Sequence, residues 1–152
     1  MKIIALISTF SLIISKNANC CYCIDSAIIS DSFKNSSLIF NGLILSVRDE
    51  SPKPERSYYR IYTVQIEKIY KGHYQRKTIE ILTGYGDGDC GIEFNIGEKY
   101  IIYASIQSLN LSKKNTKTKT YYTNECTRTN RFNENEVAEI KKYKRKHLFW
   151  WI

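Results

Sequence analysis

The sequence predicts a mainly β domain of five strands followed by one C-terminal helix. Isoleucine, threonine and tyrosine dominate the middle of the chain, which has 12 tyrosines among its 152 residues, and these residue types favour strands. Residues 58–70 alternate, with Tyr62, Val64 and Ile66 on one face and polar residues on the other. This alternation is typical of a half-buried antiparallel strand. After residue 132 the apolar period becomes helical, and the length suits one domain with its own core.

The five predicted strands are separated by turn-forming and polar segments. They cover residues 38–48, 58–70, 77–83, 98–106 and 117–126. Gly42 within the first strand indicates a bulge or a strong bend, which a closed barrel needs. Strands with such bends suggest a small closed barrel of the five-stranded OB type. A five-strand meander sandwich is the alternative.

The remaining segments follow from capping and turn chemistry. Residues 24–37 are polar and are expected to form an irregular or briefly helical connector, and residues 84–89 a flexible loop. Asn133 and Glu136 match the capping pattern at a helix start. In that helix the apolar residues fall on one face, which is expected to pack on the sheet; they are Val137, Ile140 and Tyr143.

The N-terminal segment is typical of an export signal. Lys2 precedes an apolar run at residues 3–14, which is too short to span a bilayer; a buried N-terminal strand or helix is the alternative. Cleavage after Cys20, with cleavage before Cys20 as the alternative, divides the chain into a signal peptide (1–20), a domain (21–146) and an apolar tail (147–152). We expect a secreted protein. A lipid on Cys20, which would anchor it at a cell surface or in a periplasm, is the other option.

Three of the five cysteines lie within four residues, at Cys20, Cys21 and Cys23, and the others are Cys90 and Cys126. Cysteines so close in sequence do not easily pair with one another, so we expect two long-range disulfides, which an exported protein permits. A metal site formed with a histidine lacks the spacing of zinc sites. We therefore expect no cofactor and no metal of the protein's own.

The basic residues are concentrated at one place. Of the formal net charge of +8, Lys2 and Lys16 contribute two and the basic residues of the run 141–146 contribute five, so the rest is nearly neutral. A near-neutral body and an export signal argue against nucleic acid as a partner. The basic run is interpreted as a solvated helix end; the stretch Lys141 to Trp151, with Phe149 and Trp150, also suits contact with an anionic membrane surface or a partner groove.

The cysteines and several short motifs together resemble the N-terminal inhibitory domain of the tissue inhibitors of metalloproteinases, a netrin-like OB fold. The motifs are Cys21-Tyr22-Cys23, Phe40-Asn41-Gly42, Lys68-Ile69-Tyr70-Lys71-Gly72, Cys90-Gly91, Gly97-Glu98-Lys99-Tyr100-Ile101-Ile102 and Cys126. The resemblance extends over about residues 21–139.

The resemblance implies the disulfides Cys21–Cys90 and Cys23–Cys126 and an inhibitory edge at Cys21, Tyr22 and Cys23. It further implies that the free amine and carbonyl of Cys21 bind the catalytic zinc of a metalloendopeptidase and that Tyr22 points toward the pocket beside the zinc. Tyr85 and Asp87 are then candidate secondary contacts. The protein would be a monomer without catalytic activity of its own. The alternative is a non-inhibitory binding or adhesion module, in which the same bridges only stabilise an exported domain.

Overall fold

A computed structural model describes residues 23, 27–50, 59–86, 88–109 and 118–147 of the chain. The described part is mainly β, with a helix at each end. Its elements are α1 (Ile29–Asn35), β1 (Leu38–Glu50), β2 (Tyr59–Lys71), β3 (Thr78–Gly84), β4 (Lys99–Leu109), β5 (Thr118–Tyr122), β6 (Asn130–Arg131) and α2 (Glu134–His147). The mainly β class and the C-terminal helix are therefore confirmed.

Five of the strands pair in a closed ring. The order is β1–β2–β3–β5–β4, and β4 pairs back onto β1. All of these pairs are antiparallel except β3 and β5, which run parallel through Ile81–Tyr121 and Leu82–Tyr122. The meander alternative is wrong, because β3 lies beside β5 and not beside β4.

The first half of β1 carries both closing pairings. Ile39 lies opposite Lys71 of β2 and also opposite Tyr103 of β4. The register with β2 shifts between Asn41 and Gly42, so the predicted irregularity at Gly42 is confirmed. Beyond Leu43, β1 no longer pairs with β4 but continues beside β2, which pairs in turn with β3.

Strand alternation divides the apolar residues between two cores. One core fills the interior of the ring and the other lies between the sheet and the helices. The first contains Leu38, Phe40, Ile44, Tyr62, Val64, Ile79, Ile81, Phe94, Tyr100, Ile102 and Ala104. The second contains Ile39, Tyr70, Ile101, Tyr103, Val137 and Ile140. Of the three residues predicted to share one face of β2, Tyr62 and Val64 are buried in the first core and Ile66 is partly buried against it. The helix α2 packs on the sheet as expected.

Several sequence-based boundaries were wrong. The predicted fifth strand ends at Tyr122 and not at Cys126, because a turn begins after Thr123, whose hydroxyl donates to the carbonyl of Tyr103 in β4. The two-residue strand β6 was missed, and His147, assigned to the tail, is the last residue of α2. Within the predicted connector, residues 29–35 form the short helix α1, which agrees with the briefly helical form of that prediction. The signal segment 1–20 and residues 148–152 lie outside the described residues.

The start of α2 is only half as predicted. The side-chain oxygen of Asn133 accepts the N–H of Glu136 at 2.8 Å, as a cap should. The carboxylate of Glu136 does not return to the cap; it forms two bonds with the guanidinium of Arg128, at 2.8 and 2.6 Å, and accepts the hydroxyl of Tyr103. Burial raises the pKa of Tyr103, and its bond to Glu136 raises it further. Glu136 is therefore part of a partly buried ion pair between α2 and the chain before β6.

Replacing Glu136 by glutamine is expected to lower the free energy of unfolding by about 3 kcal/mol, because a partly buried guanidinium loses its charge partner. Glutamine keeps an oxygen for the Tyr103 hydroxyl, so the change isolates the charge. Urea unfolding followed by circular dichroism measures the effect. Glu139→Gln is the control: that side chain is 53% exposed and lies 3.7 Å from Arg128, and we expect a change of less than about 0.5 kcal/mol. Equal losses in both variants would contradict the interpretation.

Candidate functional site

The cysteine-bearing segments meet at one end of the ring. Because β3 and β5 are parallel neighbours, the connectors that follow them leave from the same end. The first connector carries Cys90 and the second carries Cys126, and the N–H of Glu125 donates to the carbonyl of Cys90 at 2.9 Å. The sheet order thus brings together two cysteines that are 36 positions apart in the sequence.

The N-terminal segment is bonded to this end. Cys23 and Cys126 form a disulfide with an S–S distance of 2.02 Å and a Cα–Cα distance of 5.3 Å, which is the pairing that the resemblance implies. Cys90 is also disulfide-bonded. Its expected pairing with Cys21 lies outside the described residues, as do Cys20, Tyr22 and Asp87.

The loop between β3 and Cys90 is organised by one carboxylate. Asp89 accepts the backbone N–H groups of Tyr85 at 2.7 Å, Gly86 at 2.8 Å and Gly91 at 3.1 Å. Burial raises the pKa of Asp89, but these backbone hydrogen bonds outweigh it and bring the pKa below its ordinary value. The loop was predicted to be flexible, and the fixed acceptor at Asp89 was not recognised from the sequence.

Gly91 closes the base of this loop. A Cβ atom on Gly91 would overlap the carbonyl group of Gly84, so only glycine permits the two backbone segments to lie so close. The preceding residue, Cys90, has a φ of 59°, a left-handed conformation that costs a non-glycine residue roughly 1–2 kcal/mol. The Cys90-Gly91 pair therefore combines a left-handed backbone at a non-glycine residue with a close backbone contact that requires glycine.

Tyr85 is a partly exposed aromatic side chain held from two sides. The guanidinium of Arg60 lies 4.2 Å from its ring centroid, and its hydroxyl donates to Asp49 at 3.3 Å. Arg60 also pairs with Asp49 at 3.6 Å and with Glu93 at 3.4 Å. Tyr85 remains 39% exposed, so a ring of known orientation is available at the surface.

Beside Tyr85's partners is an open depression of about 480 Å³. Its lining residues are Val47, Asp49, Arg60, Tyr62, Glu93, Phe94, Asn95 and Ile96. Val47 and Ile96 are exposed hydrophobic side chains, at 41% and 59%. Apolar surface and charged groups therefore adjoin one another next to the loop.

The chain between β5 and β6 is fixed by threonine hydroxyls. The Thr123 hydroxyl lies 2.9 Å from that of Thr127 and 2.8 Å from that of Thr129. Thr123 donates to the carbonyl of Tyr103, and Thr129 accepts the N–H of the same residue. This network holds the turn that carries Cys126, and no local sequence signal distinguishes it from a strand rich in threonine.

Arg128 connects the same turn to the N-terminal segment. Its guanidinium donates to the carbonyl of Ala27 at 3.0 Å while its other nitrogens bind Glu136. The hydrogen bonds to Glu136 raise the pKa of Arg128 above its ordinary value, so it stays charged. The N-terminal segment is therefore anchored at two points, by the Cys126 bridge at Cys23 within the predicted inhibitory edge and by Arg128 at Ala27 after it.

Within the described ranges, no group of three or more histidine, cysteine or acidic side chains is arranged to hold a metal ion. Neither helix in that part of the chain is long and apolar enough to cross a membrane. No protein-family model matches the sequence, and no curated protein matches it significantly.

Replacing Asp89 by asparagine is expected to loosen the loop, because one oxygen becomes an NH₂ group that cannot accept a backbone N–H. Exchange of the Tyr85 and Gly86 amides should accelerate by about tenfold or more, since a hydrogen bond to a charged group contributes roughly 1.5–3 kcal/mol. Asp31→Asn, on α1, is the control and should leave these amides unchanged. NMR hydrogen exchange measures both variants.

The lowered pKa of Asp89 also predicts a pH dependence. The stabilisation is complete above the unfolded-state pKa of about 3.9 and is lost as the pH falls through the lower folded-state pKa. The loop amides of the wild type should therefore lose protection only below about pH 4. Protection that stays constant well below that pH would contradict the role given to Asp89.

Proposed function

We propose that this protein is an exported, netrin-like OB domain that inhibits zinc metalloendopeptidases, as the tissue inhibitors of metalloproteinases do. The observation that carries the proposal is the convergence of the cysteine segments. Cys126 forms a disulfide with Cys23, and the residue before it, Glu125, donates its N–H to the carbonyl of Cys90. The ring order, with β3 and β5 parallel, supports the OB fold, which is a five-stranded Greek-key barrel.

The proposed chemistry needs an amine held close to this end. Two peptide bonds separate Cys21 from Cys23, so the Cα of Cys21 lies within about 7 Å of that of Cys23. A catalytic zinc keeps an open position occupied by water. A free α-amine, with a reference pKa of about 7.7–8.0, is partly neutral near pH 7 and can replace that water. The carbonyl of Cys21 supplies a second ligand, and Tyr22 enters the adjacent pocket.

Rigidity of the anchoring points favours tight binding. Each disulfide or hydrogen bond that fixes the edge before binding reduces the ordering entropy lost on association. Cys23 and Ala27 are fixed in this way by Cys126 and Arg128. In this proposal the protein is a ligand for another enzyme's zinc and catalyses nothing itself.

Tyr85 is the second contact in this proposal. Partly exposed aromatic side chains that are already oriented are common binding hot spots, and Arg60 and Asp49 orient this one. The depression next to it offers apolar surface at Val47 and Ile96. Asp87, the other predicted contact, belongs to the same loop in sequence.

The decisive experiment changes one peptide bond. Adding one alanine before Cys21 turns its amine into an amide, which cannot bind zinc, while the core is untouched. Inhibition of a panel of zinc endopeptidases should then fall by at least about 1,000-fold, since the amine ligand is lost and the added group keeps the Cys21 carbonyl from reaching the zinc. Acetylating the amine should have the same effect, and inhibition by the native protein should weaken as the pH falls below the amine's pKa of about 7.7–8.0, because the protonated amine cannot bind zinc.

The outcome also separates the two candidate functions. Thermal unfolding of the extended protein serves as the folding control and should match that of the native protein. Equal inhibition by both forms would contradict chelation. No inhibition by either form across a broad panel would favour a non-inhibitory binding or adhesion module.

A matched pair of substitutions tests Tyr85. Tyr85→Ala removes the ring and should weaken inhibition by about tenfold to 100-fold, as expected for an aromatic hot spot. Tyr85→Phe keeps the ring beside Arg60 and removes the hydroxyl that bonds Asp49, so we expect less than about a fivefold change. Inhibition constants against one sensitive protease measure both. Indistinguishable constants for Tyr85→Ala and the wild type would remove Tyr85 from the interface.

A further inference from the structure

The outward face of α2 carries a cluster of basic residues in its second half. Lys141, Lys142, Arg145 and Lys146 are all exposed, and at 3.6 residues per turn they fall within an arc of about 140°. The opposite face holds Val137 and Ile140, which are buried against the sheet. We call these four residues the basic face of α2.

The charge of the basic face is not used inside the described part of the fold. None of its four residues forms an ion pair with a described carboxylate. The nearest acidic residues of the helix, Glu136 and Glu139, both pair with Arg128. Lys144 is different, because its ammonium group donates to the carbonyl of Tyr70 in β2 at 3.1 Å.

Helix capping does not account for so many charges. The helix dipole places about half a negative charge at the C-terminus. Lys144 and one other basic residue of the last turn already offset this charge. The basic face instead sets like charges four residues apart, Lys141 with Arg145 and Lys142 with Lys146, and each such pair costs about 0.2–0.5 kcal/mol. These like charges destabilise the isolated helix and have no anionic partner among the described residues. They therefore indicate an anionic partner outside the domain.

Neighbouring elements enlarge the same positive region. Phe33 of α1 packs on Tyr143 of α2 with ring centroids 5.0 Å apart, and Lys34 is exposed in the last turn of α1. Lys71 donates to the carbonyls of Phe33, Lys34 and Ser36 at the end of that helix. The region lies at the Lys71 end of β2, whereas Arg60 and Tyr85 lie at the other end, about 35 Å away along the strand.

We propose that the basic face of α2 binds an anionic phospholipid surface. The charge requires an anionic partner, and the sequence that directly follows α2, Leu148-Phe149-Trp150-Trp151, selects a lipid surface over a soluble polyanion. Tryptophan favours the membrane–water interface, and basic residues next to bulky apolar ones are typical of interfacial segments. The opposite end of β2 then stays accessible, so membrane contact and protease binding do not compete.

Vesicle flotation of the full mature chain tests this proposal. In 100 mM NaCl the protein should float with vesicles of phosphatidylcholine and phosphatidylserine (about 70:30) and not with phosphatidylcholine alone. Binding should be lost in 1 M NaCl, where the Debye length falls to about 3 Å. Equal flotation with both vesicle types, or none with either, would overturn the proposal.

Two charge-matched variants locate the surface. Lys142→Gln/Lys146→Gln should bind about 30-fold more weakly, since each basic residue near an anionic membrane contributes about fivefold. Arg48→Gln/Lys99→Gln removes the same charge from the ring, where both residues sit in exposed ion pairs, and should bind within about threefold of the wild type. Equal weakening in both variants would mean that net charge alone acts, and the proposal would be wrong.

Two further measurements on the Lys142→Gln/Lys146→Gln variant complete the test. The variant should unfold at the wild-type temperature or slightly above, because like-charge pairs are removed. Its inhibition of proteases should equal that of the wild type. If an immobilised sulfated polysaccharide retains the protein with the same variant dependence while anionic vesicles do not, the partner is a polysaccharide and the lipid proposal is wrong.

Discussion

The double pairing of β1 is the constraint on which the rest of the structure depends. Over residues 38–43 this strand forms ladders with β2 on one edge and β4 on the other, so the five strands leave no open edge there. A strand that closes a ring must bend, and the bend lies at Gly42. A Cβ at this position would be 2.5 Å from the carbonyl oxygen of Gln65. No side chain fits between the two strands, and closure therefore requires glycine.

Closure decides where the loops lie. In a meander, β4 would separate β3 from β5 by two strand spacings of about 4.8 Å, and their connectors would leave further apart. With β3 and β5 adjacent and parallel, the chain after each strand starts at the same end, and Cys90 and Cys126 become neighbours. The disulfide at Cys23 then fixes the N-terminal segment to this pair. The candidate site is thus a consequence of strand order.

Charged residues at α2 have two different surroundings. The guanidinium of Arg128, in the turn before β6, donates to Glu136 of α2 and to the carbonyl of Ala27. This partly buried pair sets the position of α2 relative to the cysteine end. On the outward side of the same helix the basic residues have no such partners within the described residues. One helix therefore connects the candidate inhibitory end with a positively charged surface at the other end of β2.

The sequence by itself determined the local features of this protein. Alternation at residues 58–70, the glycine at position 42 and the side-chain oxygen of Asn133 each act within a few residues of chain, so the strands, the bulge and the helix cap were predictable. Tertiary structure alone decided which strands adjoin, that Asp89 binds three loop amides, and that Glu136 pairs with Arg128 and does not complete its own cap. These features depend on distances between segments far apart in sequence, which no local period encodes. The threonines at 123–129 are a further example. Their residue type favours a strand, but their hydroxyls bond the main chain of Tyr103 and one another. The choice between strand and turn therefore depends on β4 lying beside them, which the local sequence does not encode.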